Sequence, residues 1–160
     1  MIRRVKVLAL SALFVVLAAA AAQAAPERMA IYMTVAGPLE VVRDGASSYI
    51  LLGGKTIHEA QGASLTAQSY MSVGEPADGY DALLLRHGVG NAECPITFDL
   101  VTVGADKNYL VTPNINKCSR LVNVNVDGDK LMLVTEKQNG RSEVIEYNDA
   151  QRRAGGAKKQ

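Results

Sequence analysis

Leu121-Val122-Asn123-Val124-Asn125-Val126 runs directly into Asp127-Gly128 and then into a second apolar stretch, Asp129–Thr135. Valine and asparagine alternate with a period of two, which marks a strand with one buried face and one wet face. Val122, Val124 and Val126 are expected on the buried side. Asp-Gly is a dipeptide that readily takes the positive φ angles of a two-residue hairpin loop. The same grammar repeats in both directions. Gly53-Gly54 separates Tyr49–Leu52 from Lys55–Ala60, and Asn139-Gly140 separates Asp129–Thr135 from Arg141–Tyr147.

Further short runs are Ile31–Val35, Leu39–Arg43, Tyr80–His87, Ile96–Val103 and Tyr109–Thr112. Leu65–Val73 is ambiguous, because Leu65, Gln68 and Tyr70 fit neither a strand nor a helix period. Beyond the N-terminal segment no stretch has the length and period of an amphipathic helix. About nine or ten short strands linked mostly as hairpins point to an all-β chain, an antiparallel β-sandwich or a small barrel. Its core must be mainly aliphatic, since Phe14 and Phe98 are the only phenylalanines and there is no tryptophan.

The first 24 residues read as a cleaved signal peptide. Arg3, Arg4 and Lys6 form a positive head, Val7 to Ala22 is apolar apart from Ser11, and Ala22-Gln23-Ala24 supplies the small-x-small cleavage pattern. That apolar run, about 16 residues, falls short of the roughly 20 a spanning helix needs. The expected organisation is a signal peptide over 1–24, a single all-β domain over 25–150, and a disordered basic tail over 151–160. The expected location is periplasmic or secreted, with no transmembrane segment after cleavage. Losing Arg3, Arg4 and Lys6 from 17 basic groups leaves 14 against 16 acidic ones. The tail holds four of those 14, Arg152, Arg153, Lys158 and Lys159, so the body is acidic.

Cys94 and Cys118 are the only thiols, and an even count in an oxidising compartment implies one disulfide. Closing a loop of this length stabilises a domain by about 3 kcal/mol on the chain-entropy model. The pair flanks Ile96–Val103 and Tyr109–Thr112, so it is expected to tie the ends of one hairpin. A metal role for the thiols is set aside, because His58 and His87 show no ligand spacing relative to them.

The remaining polar residues assemble no recognisable chemistry along the chain. Asp81 and His87 share a strand face but stand about 20 Å apart at strand rise, too far for a relay. His58 alternates with Ile57 and Glu59 and is expected to face solvent. Glu75, Asp78 and Asp81 read as a solvated turn. No Gly-x-Ser-x-Gly elbow is present. Asn123–Val134 opens like a calcium loop but ends in Val134 where a bidentate Glu is required. Six tyrosines are scattered rather than interleaved with cations, and with an acidic body this argues against nucleic-acid binding.

The expectation is therefore an exported, non-catalytic binding or accessory protein of the cell envelope, an inhibitor or escort of another exported protein, with no cofactor and no metal. Loops held on a rigid scaffold are where recognition sits. The Arg86–Glu93 connection, with Arg86, His87, Asn91 and Glu93, is the expected contact region. Two alternatives stand beside it: an envelope hydrolase using His87 with carboxylates from other strands, and an adhesive or matrix subunit with an open strand edge.

Overall fold

Each turn signal separates two strands in the computed structural model, which describes residues 25–60, 64–87, 94, 96–148, 150 and 158–159. Eleven antiparallel strands, with a further two-residue one, build three sheets. The first sheet runs in order through β1 (Glu27–Thr34), β2 (Gly37–Asp44), β3 (Ser47–Leu52) and β4 (Lys55–Ala60). The central sheet holds β5 (Leu65–Val73), β6 (Tyr80–His87), β7 (Phe98–Gly104) and β8 (Asn108–Thr112), with β12 (Lys158–Lys159) paired to β8. The third sheet is β9 (Arg120–Asp127), β10 (Lys130–Glu136) and β11 (Ser142–Asn148), with β10 in the middle.

The all-β antiparallel expectation holds, and the sandwich is a triple one. One core joins Leu39, Val41, Ile50 and Leu52 of the first sheet to Leu65, Leu83, Leu85, Val101 and Val103 of the central sheet. A second core joins Tyr80, Ala82, Leu84, Phe98 and Leu100, on the opposite face of the central sheet, to Leu131, Leu133 and Tyr147. Because successive side chains point to opposite faces, β6 and β7 supply both cores alternately. Every residue of β7 is buried, as is every residue of β6 before Arg86.

Local irregularities explain where alternation misleads. A bulge in β9 pairs Val134 with Asn123 but Thr135 with Leu121, leaving Val122 out of register. Val122 is therefore 51% exposed, while Leu121 and Val124 pack on the second core. Val126 is also exposed, so only Val124 of the three valines packs on that core. Leu65–Val73 is a strand whose period is broken by a bulge between Ala67 and Ser69. At Gly53-Gly54 both φ angles are positive, as the tight hairpin requires. Asn139-Gly140 lies in a longer connection than expected: Gly140 N–H bonds to the Lys137 carbonyl, and pairing resumes only at Ser142.

The Cys94–Cys118 disulfide is formed, with the Cα atoms 4.8 Å apart, across the ends of the β7–β8 hairpin. Between β8 and β9 the chain makes a turn in which Asn114, Lys117 and Cys118 all have positive φ. The fully buried Asn116 cements it. Its Oδ1 accepts from Phe98 N–H at 2.9 Å, and its Nδ2 donates to the carbonyls of Ile96 and Ser119.

The leader, 1–24, lies outside the described residues, as does the tail apart from Lys158 and Lys159. Among the described residues no helix is long and apolar enough to cross a membrane.

Candidate functional site

Both histidines of the chain meet one buried aspartate between the first two sheets. Asp99 follows Phe98 at the start of β7, and alternation turns it toward the first core while its neighbours face the second. His87 is the last residue of β6. Its amide bonds to the Thr97 carbonyl at 2.9 Å, so Asp99 lies diagonally across the strand pair on the same face. His87 Nε2 is 2.6 Å from Asp99 Oδ2, a short contact in which the carboxylate accepts.

His58 arrives from the other sheet. In β4 the register pairs Ile50 with His58 but Leu51 with Thr56, so Ile57 is an extra, bulged residue. Bulges re-aim side chains, and this one overturns the expectation that His58 faces solvent. Ile57 packs on the first core, and His58 turns toward Asp99, its side chain 22% exposed. Its Nε2 lies 3.3 Å from Asp99 Oδ2 but misses the alignment of a hydrogen bond, and this buried atom has no hydrogen-bond partner.

Asp99 is fixed from behind. Oδ1 accepts the Asn114 amide at 2.9 Å, and Asn114 Oδ1 in turn accepts the Cys118 amide at 3.1 Å. The disulfide turn thus holds the carboxylate, and Oδ2 is left facing both imidazoles. Burial, with Asp99 only 2% exposed, pushes its carboxyl up. The close approach of the His58 ring, the bond from His87, the Asn114 amide and the charge of His87 together outweigh burial and hold it below the usual carboxylate range.

A carboxylate oxygen and two imidazole nitrogens within 4.8 Å of one another form a donor set suited to a borderline transition ion. The same pair would also orient a general base. Among the described residues, however, no hydroxyl or thiol is hydrogen-bonded to either imidazole, so the hydrolase alternative gains its carboxylate and no nucleophile.

Of the expected contact residues, Arg86 is exposed and lines an open cleft with Gln68, Ser69 and Phe98. His87 turns inward to Asp99. Asn91 and Glu93 lie outside the described residues. The acidic turn divides: Glu75 and Asp78 are exposed, whereas Asp81 is buried on β6. Asp99 was missed because Phe98, Leu100 and Val101 around it read as core, and nothing along the chain links it to either histidine. The one available signal is the stretch Leu100–Val103 after it, apolar but for Thr102, which suits a strand buried on both faces.

A second surface feature lies on β1, an edge strand of the first sheet, and runs into the turn at Val35. Met29, Ile31, Met33 and Val35 are 45%, 50%, 72% and 51% exposed. The intervening Ala30 and Tyr32 pack inward on the first core.

Comparison with protein-family models, curated proteins and solved structures finds no match to this chain.

Proposed function

We propose that this chain is an exported, non-catalytic β-domain that binds another exported protein of the cell envelope through the outer edge of β1. The exposed alternation of Met29, Ile31, Met33 and Val35 carries this reading. Lone apolar residues on a surface are ordinary, but a row of three on an edge strand, continued by Val35 in the turn that follows, is the kind of feature that other proteins with exposed edges blunt with charge or cover. An extended partner segment added beside β1 would gain main-chain hydrogen bonds, and the apolar row would select its side chains. The disulfide supports export, because such bridges persist in oxidising compartments. The leader-like first 24 residues point the same way.

The test is recovery of a partner from envelope extract by the wild-type chain and by an Ile31→Lys, Met33→Lys variant. Both sites are half exposed or more, so the fold tolerates the change. A partner held by wild type and lost by the variant supports the reading, provided its cross-links map to β1. Equal recovery overturns it. A concentration-dependent dimer abolished by the same substitutions also overturns it, assigning the edge to self-association and favouring the structural-subunit alternative.

A further inference from the structure

We propose that His58 Nε2, His87 Nε2 and Asp99 Oδ2 are the three protein ligands of a site for a divalent late first-row transition ion, with Zn2+ as the reference case. The site is independent of β1 and would work whether or not that edge binds a partner.

Three observations converge on it. The donor chemistry is imidazole plus a single carboxylate oxygen, which suits zinc, copper or nickel. It offers far too few oxygens for calcium, which takes 6–8. Next, the carboxylate is prepared for one-oxygen ligation. Oδ1 is occupied by the Asn114 amide, so Oδ2 alone is presented, as supporting hydrogen bonds do in metal sites. Finally, His58 Nε2 is a buried polar atom without a hydrogen-bond partner, 3.3 Å from the same oxygen. A buried nitrogen left in that state calls for a partner, and an ion between the three atoms would supply it.

The distances allow this with side-chain movements on the order of an ångström. Two ligands each about 2.1 Å from a tetrahedral zinc ion stand about 3.4 Å apart. One donor atom from each residue lies within 4.8 Å of the others, so the widest pair closes by about 1.4 Å at most. The 2.6 Å contact between His87 and Asp99 must open, with the ion replacing the proton they share. Both rings are partly exposed at the end of the inter-sheet core, where rotation is not blocked by packing on every side. The three ligands leave the remaining coordination position to solvent. The bound ion would bolt β4 of the first sheet to β6 and β7 of the central one.

The test uses the disulfide-bonded protein, freed of metal by a chelator and titrated with Zn2+ against a colorimetric zinc indicator. One equivalent should bind, and Ca2+ should not compete. His58→Ala and His87→Ala should each weaken binding by about 100-fold or more, at or beyond the loss seen when only supporting residues are removed. Glu59→Ala, at an exposed neighbour of His58, should leave the affinity unchanged. The chain has only two histidines, so proton spectra of the wild type give an independent reading that needs no variant. Both imidazoles should shift together and saturate at one equivalent. Failure to take up zinc, affinity unchanged in both histidine variants, or movement of one imidazole without the other would each overturn the proposal.

Discussion

Two buried carboxylates mark opposite ends of one face of the central sheet, and they are satisfied in different ways. Asp81 accepts the Val35 amide at 3.0 Å on Oδ2 and the Ser72 hydroxyl at 2.7 Å on Oδ1. Both donors are neutral, and together they pin the β1–β2 turn to the central sheet. Asp99 gives one oxygen to a fixed amide and leaves the other to two rings that can change proton or ligand. Burial and alternation are the same at both ends, so neither distinguishes structure from chemistry. The distinction lies in what faces the second oxygen.

Removing the disulfide, by Cys94→Ser with Cys118→Ser, should have the largest effect, about 3 kcal/mol in urea unfolding. The damage should be lopsided. Exchange of the Asn114 amide should accelerate beyond the global change, whereas the Val35 amide on Asp81 should follow the global change alone. Equal local acceleration at both ends would mean that the disulfide turn does not specifically hold Asp99.

Asp81→Asn should cost about 2 kcal/mol, within the range for hydrogen bonds to a charged acceptor. It also reaches Tyr70, whose hydroxyl donates to the Met33 carbonyl and whose ring stacks on Tyr32. Burial, then the hydrogen bond and charge of Asp81, push the Tyr70 phenol up to about 12. A raised phenol pKa means stability present below the ordinary value of about 10 and lost as pH rises through the folded one. In Asp81→Asn that phenol should titrate earlier, by phenolate absorbance, though burial keeps it above the ordinary value.

The smallest effect is expected from Asp99→Asn, about 1.5 kcal/mol at neutral pH. That is the low end of the range for a charged acceptor, because an asparagine oxygen still accepts the Asn114 amide. Its pH dependence is diagnostic. The depressed folded-state carboxyl contributes stability that is complete above the unfolded value of about 4 and is lost as pH falls through the lower folded one. Denaturation at several pH values should show the gap between wild type and variant closing in acid. A gap independent of pH would show that the charge of Asp99 is not what the cluster uses.

Much of the architecture was legible because hairpin chemistry is local. Gly53-Gly54 and the dipeptide at Asp127 announced their turns, and two cysteines in an otherwise thiol-free chain had one partner each. The third layer was less visible. Ala82-Leu83-Leu84-Leu85 is an unbroken apolar run, the mark of a strand buried on both faces, yet hairpin counting alone does not say how sheets stack. The cluster was not legible at all. His58 owes its direction to one extra residue in β4, and a bulge depends on pairing with β3 rather than on its own sequence. Asp99 meets His87 through strand register and meets His58 through packing of separate sheets, neither of which leaves a spacing to read.

The most direct measurement is a proton nuclear Overhauser spectrum of the metal-free, disulfide-bonded chain, read at its two imidazole rings. Cross-peaks between the His58 and His87 ring protons, retained at neutral pH and accompanied by slow exchange of the Asn114 amide, are the predicted result. Two rings with no mutual cross-peak, each seeing only its own strand neighbours, would contradict the meeting of the two sheets at Asp99.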